Sequence, residues 1–180
     1  SDRLLLVLAS ASPRRRQLIE QLGIPMLAEA ATVDERCLPG EAPGRHVLRV
    51  ARAKADRVAS AHPGFPVLGA DTTVVVGDTI LGKPRDREQA RAMLRLLSGR
   101  THTVLTAMCL RWGERAASHL EAAAVTFRAL EPDLAEWYVA SGEGDDKAGA
   151  YAVQGLGGAL ITRVEGNVQA VVGLPLAPLI

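Results

Sequence analysis

The chain has 180 residues and a mass of 19.1 kDa, a length that fits one domain, 1–180, or one domain with two lobes. Lys+Arg number 21 against 20 Asp+Glu, for a net charge of +1, which excludes a broadly basic nucleic-acid binder. With 48% hydrophobic residues it reads as soluble and globular, yet two Trp, two Tyr and two Phe are too few for a base-stacking platform.

In chain order, Leu4–Ala9 is a continuous apolar run, the pattern of a strand buried on both faces. Ser10-Ala11-Ser12-Pro13 makes a tight turn into a helix over Arg14–Gln21, with Ser12 as N-cap, Pro13 at the first position and Gly23 as the stop. Residues 45–60 form an amphipathic helix whose apolar face gathers Val47, Val50, Ala51 and Val58. Val67–Val76 is strand-like, and Gly77-Asp78 turns it into Thr79–Leu81. Asp86–Leu97 is a helix with Asp86 as cap, Gln89 three residues on and Gly99 as its end. Thr101–Trp112 and Ala117–Phe127 are two long strands, and Pro132–Ala140 is a short helix. Ser141–Gly158 is a Gly- and Asp-rich loop with little regular structure before Tyr151–Gln154, and Val168–Val172 is a last strand. The mixture predicts an α/β or α+β fold on one mixed sheet.

The apolar part of the start, Leu4–Leu8, is too short for a secretory signal, and no apolar run approaches the roughly 20 residues of a membrane span. Cys37 and Cys109 lie far apart without zinc-type spacing. A reduced, cytoplasmic protein with no membrane and no nucleic-acid partner is expected. The neutral total hides a gradient: residues 121–180 hold three Lys/Arg against eight Asp/Glu, and the excess cations lie earlier. Eighteen of the cations are Arg; lysine occurs only at 54, 83 and 147.

Three places carry the chemistry. At Ser10-Ala11-Ser12-Pro13-Arg14-Arg15-Arg16 a buried strand gives way to a helix N-terminus, whose unpaired N–H groups and partial positive charge attract anions. An N-cap serine followed by solvated arginines is the plainer alternative. Arginine in a first turn opposes the helix dipole, however, and this favours an anionic ligand. Lys54 falls in the middle of the apolar helix face, where its stem either snorkels or its ammonium meets an anionic partner. Asp71 interrupts the strand Val67–Val76 just after Gly69-Ala70, either as a structural bulge residue or as a functional acid. Gly82-Lys83-Pro84 adds a second lysine beyond the hairpin, and Asp34-Glu35 a carboxylate pair that alone reads as solvated surface. Such cations suit a polyphosphate, and such carboxylates a divalent cation and an activated water. There is no P-loop, no GxGxxG and no GxSxG, and His46, His62, His102 and His119 form no common motif.

Leu8-Ala9-Ser10-Ala11-Ser12-Pro13-Arg14-Arg15, Gly69-Ala70-Asp71-Thr72, Leu81-Gly82-Lys83-Pro84, Leu97–His102, Asp146–Gly155 and Val172-Gly173-Leu174-Pro175-Leu176 together resemble, in order and over nearly the whole chain, the Maf family of nucleoside triphosphate pyrophosphatases. The resemblance implies an elongated mixed sheet flanked by helices, Maf/ITPase-like, with a cleft between two lobes. It implies hydrolysis of a nucleoside triphosphate to the monophosphate and pyrophosphate with Mg²⁺ or Mn²⁺. By the same resemblance Asp71 is the proton acceptor for water, and Ser10, Arg15, Glu35, Lys54, Lys83 and Gln154 are further active-site positions. Asp71 and Glu35 are the implied metal ligands. Arg14, Thr72 and Gln154 match positions tied to base choice, and Asp71-Thr72 with Ala150–Gly155 looks like the dTTP/UTP branch of the family. The alternatives are a 7-methyl-GTP pyrophosphatase and a non-catalytic nucleotide-binding regulator of septum formation; a homodimer is compatible with either. Two departures stand out: Gly166-Asn167-Val168 replaces a stretch that often carries Ser and Tyr, and the sequence ends at Ile180 where the family usually continues into a helix.

Overall fold

A computed structural model describes residues 5–174. Its strands are β1 (Leu6–Ala9), β2 (Met26–Ala28), β3 (Val67–Val76), β4 (Thr79–Leu81), β5 (Thr101–Trp112), β6 (Arg115–Phe127) and β7 (Ile161–Gly166). Its helices are α1 (Pro13–Gln21), α2 (Pro43–Ala59), α3 (Arg87–Leu97), α4 (Pro132–Ala140) and α5 (Val168–Val172). The strands form a mixed sheet in the order β2-β1-β3-β5-β6-β7, with β4 paired to β3. β1 runs parallel to both β2 and β3, whereas β3–β4 and β6–β7 are antiparallel. The mixed α/β class expected from the sequence is what forms.

Two compact units divide the chain. Of the described residues, the first comprises 5–71, 106–121 and 173–174, and the second 72–105 and 122–172. In the first unit, β1 is buried along its whole length, as its unbroken apolar run requires. Ser12 caps α1 by accepting the Arg15 N–H at 3.3 Å, with Pro13 in the first turn. Helix α2 lays Val47, Val50, Ala51, Ala55 and Val58 into the core. It lies so close to β3 that a Cβ on Gly69 would stand 2.2 Å from the Ala51 carbonyl oxygen and 2.7 Å from the Ala55 nitrogen. Glycine at 69 is what lets helix and strand approach.

The second unit packs Val74, Val76, Leu94, Leu97, Val125, Phe127, Tyr138 and Leu160 into its own core. The Gly77-Asp78 turn forms as expected, with Gly77 at φ +56° and Val76 opposite Thr79. Asp86 caps α3 through the Gln89 N–H at 2.7 Å, and the Gln89 side chain reaches back to the Arg85 N–H.

The expectation of a strand at Val168–Val172 is overturned: these residues are helix α5, and the last strand is Ile161–Gly166. The Asn167 side chain accepts the Gln169 N–H at 2.9 Å and its carbonyl accepts that of Ala170, an N-terminal turn that outweighs the β-propensity of three valines. Strand β2 is too short and too exposed to show in the sequence. The Gly- and Asp-rich loop contains 3-10 turns at Ala148–Ala150 and Gly155–Leu160, with Tyr151–Gln154 irregular between them. Helix α2 begins two residues earlier than expected, with Pro43 in its first turn. The Leu4 end of the first strand and the Pro175-Leu176 end of the last motif lie outside the described residues.

Candidate active site

Within the first unit, three elements bring charged side chains together, two of them buried and the third, Glu35, at the surface. Strand β3 carries Asp71, α2 carries Lys54, and the loop between β2 and α2 carries Glu35. The Lys54 ammonium lies 2.5 Å from Glu35 Oε1 and 3.4 Å from Asp71 Oδ1, and donates to the Ala70 carbonyl at 3.3 Å. Lys54 and Asp71 are both buried. Lysine on an apolar face is thus paired rather than snorkelling, because an unpaired buried ammonium would cost several kcal/mol. Of the neighbouring carboxylates, Asp34 turns to solvent and binds Arg36, while Glu35 turns inward to Lys54.

The first turn of α1 supplies the other cation. Arg15 is buried; its Nε donates to the Gly173 carbonyl at 2.8 Å and an Nη to Ser10 Oγ at 3.4 Å, while Ser10 Oγ accepts the Ser12 N–H. Burial lowers the Arg15 pKa, and the charges of Asp71 and Glu35 oppose that effect. Burial likewise raises the Asp71 carboxyl above its ordinary value, against the pull of Lys54 and Arg15, and Glu35 adds to the rise. Arg14 is half-buried. Arg16, the third member of the arginine run, is exposed and pairs with Glu20 one turn on, so it stands apart from this cluster.

The structure therefore brings together Ser10, Arg15, Glu35, Lys54 and Asp71. Thr72, Lys83 and Gln154 belong to the second unit. There, Gly149 N–H donates to the Gly82 carbonyl, fastening the Gly82-Lys83-Pro84 motif to the segment that holds Asp146 and Lys147, whose side chains pair at 2.7 Å. Gln154 and Lys83 are exposed.

Asp71 and Glu35 offer hard carboxylate oxygens, the donor type preferred by Mg²⁺ and Mn²⁺. A second group of ligand-type atoms, on Cys37, Glu41 and His46, lies within 4.8 Å of one another. Arg49 already fills it, donating to Glu41 through Nε and Nη2 and approaching His46 Nδ1 at 3.3 Å. Glu41 is thereby paired with Arg49 and His46, while the Cys37 thiol meets only backbone carbonyls. Both cysteines are free thiols, Cys37 exposed and Cys109 buried. Among the described residues no helix is long and apolar enough to cross a membrane.

Helix α2 and strand β3 thus bury a lysine against Asp71, with Glu35 on the ammonium and the Arg15 guanidinium of the first turn of α1 close enough to act on both carboxylates. The profile of the family described as Maf-like protein matches residues 5–180, and the chain belongs to that family. A dTTP/UTP pyrophosphatase of Myxococcus xanthus is 55% identical over 98% of this chain and 89% of its own length. Proteins of the same name from Anaeromyxobacter dehalogenans and Escherichia coli O157:H7 are 54% and 48% identical, over 96% and 95% of this chain and 89% and 87% of their own. Among solved structures, the Staphylococcus aureus Ham1 protein matches 68% of this chain and 71% of its own at 13% identity and a TM-score of 0.49, a partial likeness only.

Proposed function

We propose that this protein hydrolyses dTTP and UTP to the monophosphate and pyrophosphate. The observation that carries the reading is the buried Asp71–Lys54 pair with Glu35 closing on the ammonium from the surface, in a chain whose relatives at 47–55% identity bear the name dTTP/UTP pyrophosphatase. Asp71 accepts the proton of the attacking water, and the pyrophosphate leaves as the bond between the α- and β-phosphates breaks. Lys54 holds the Asp71 carboxylate oriented and ionised. Arg15, Arg14 and Lys83 neutralise the polyphosphate, and Ser10 fixes the Arg15 fork. Asp71 and Glu35 hold a divalent cation, which when bound withdraws charge from the phosphate oxygens. Gln154 and Thr72 face the base; an amide presents one donor and one acceptor, which is what a thymine or uracil edge requires.

Steady-state assays of pyrophosphate release with dTTP, UTP, dCTP, GTP and 7-methyl-GTP, with Mg²⁺ and with Mn²⁺, test the reading. dTTP and UTP are the expected substrates, and Asp71→Asn loses about a thousandfold or more in rate while remaining folded. Preference for 7-methyl-GTP, or nucleotide binding without turnover under either metal, overturns it.

A further inference from the structure

Gln154 sits at the centre of a short segment that the second unit holds from below by one carboxylate. Glu143, in the loop after α4, spends both of its oxygens on that segment: Oε2 accepts the Leu156 N–H at 2.9 Å and Oε1 the Gly157 N–H at 2.8 Å. Oε1 also accepts the Tyr138 hydroxyl at 3.0 Å, and that hydroxyl in turn accepts the Ala152 N–H at 2.9 Å. The backbone is therefore pinned on both sides of Gln154, at 152 and at 156–157. Gly155, at φ +73°, rests directly on the carboxylate, since a Cβ there would stand 2.5 Å from Glu143 Oε2. Gly157 is packed so tightly that a Cβ would collide with the Ala152 carbonyl oxygen. One residue upstream, the Tyr151 hydroxyl shares a 2.6 Å hydrogen bond with His102 Nε2 inside the aromatic group of His102, Phe127 and Tyr151.

We infer that Glu143 is a positioning residue for base selection, its carboxylate fixing the backbone that aims the Gln154 amide. The inference rests on the reading of Gln154 as a base-contacting residue. The Gln154 side chain is exposed and has several free torsions. It can discriminate between bases only if the chain beneath it is fixed, because every freedom left in the support is lost again on binding. Hydrogen bonds from backbone N–H groups to an ionised carboxylate are among the strong ones, and three backbone N–H groups converge here on a single side chain and its tyrosine partner.

The test compares wild type, Glu143→Gln, Gln154→Ala and, as a control on a nearby exposed carboxylate, Asp145→Asn. Glutamine keeps the size of the side chain but turns one acceptor into a donor that faces an N–H. Kinetics with dTTP and GTP are read alongside amide hydrogen exchange at Leu156 and Gly157 in the nucleotide-free protein. For Glu143→Gln, the KM for dTTP rises about tenfold with kcat within about threefold, the kcat/KM ratio of dTTP over GTP falls toward that of Gln154→Ala, and both amides exchange faster. Asp145→Asn changes none of these. An unchanged dTTP/GTP ratio, with KM unaltered and the apparent kcat lowered only in proportion to lost folded protein, overturns the inference, as does unaltered exchange at both amides. If wild type shows no preference for dTTP and UTP, the proposed function falls and the selectivity role with it. If wild type and Gln154→Ala behave as proposed and Glu143→Gln keeps its selectivity, only the positioning role falls.

Discussion

The Lys54 ammonium stands 3.4 Å from the Asp71 carboxylate inside an otherwise apolar contact between α2 and β3. An unpaired charge buried there would be costly, and Glu35 is a second carboxylate on the same ammonium.

Lys54→Met therefore loses stability and activity together. The variant leaves two carboxylates without their shared cation, and a loss of about 3 kcal/mol or more in urea unfolding is expected, with a hundredfold or greater fall in kcat/KM. Adding Asp71→Asn to that background recovers part of the stability, because the residual buried charge is gone. A double-mutant cycle reads the coupling, expected at about 1–3 kcal/mol. Strict additivity would mean the two side chains do not depend on one another.

The Asp71 carboxyl titrates above its ordinary value in the metal-free protein, since burial outweighs the attraction of Lys54 and Arg15. Side-chain carboxyl NMR of the nucleotide-free protein reads this directly. Adding Mg²⁺ lowers the titration if Asp71 is a metal ligand, because the cation favours the ionised form. A midpoint indifferent to Mg²⁺ removes Asp71 from the ligand set.

Gly69→Ala tests how tightly the site depends on helix approach. The new methyl group meets backbone atoms of Ala51 and Ala55, which cannot rotate away, so α2 must shift and carry Lys54 with it. Overpacking of this kind costs about 1–3 kcal/mol. The variant is expected to lose kcat beyond what the drop in folded fraction explains, as measured by active-site titration beside the urea midpoint.

His102 makes stability fall toward acid pH. Burial lowers its pKa to about 4, from an ordinary 6.5. Below about 6.5 the unfolded chain takes up a proton that the native protein does not, so stability declines as pH drops from about 6.5 to about 4 and levels off below that. The whole effect is at most about 3 kcal/mol. His102→Phe is less stable than wild type at pH 7, having lost the bond to Tyr151, and the gap narrows between pH 6.5 and 4. Chemical denaturation at a series of pH values measures it; a constant gap would show that burial does not shift the His102 pKa from its unfolded value.

Much of the candidate site could be read from the residues because three of its side chains break a local rule. Lys54 interrupts an apolar helix face, Asp71 a strand, and Arg15 sits at the wrong end of a helix dipole. Glu35 breaks no rule. Beside Asp34 it looks like solvated surface, and only the chain fold turns it toward Lys54 while its neighbour pairs with Arg36. Arg16 was equally ambiguous, and the Glu20 one turn away decides its fate. Glu143 gave no local signal at all, because its partners are backbone N–H groups more than a dozen residues along the chain. Val168–Val172 misled for the opposite reason: three valines speak for a strand, and a single asparagine side chain before them sets the helix.

The scarcity of lysine also gives the chain a built-in set of chemical reporters. An amine-reactive reagent meets only three side chains, and they differ sharply in access. Lys83 is open to solvent, Lys147 is partly covered and held by Asp146, and Lys54 is enclosed between carboxylates at 10% side-chain exposure. Labelling should therefore proceed in that order, with Lys54 silent in the native state and appearing only on unfolding. The same three peaks in one mass spectrum then report the integrity of the fold at Lys54 and, on the proposed phosphate role of Lys83, its protection by added nucleotide.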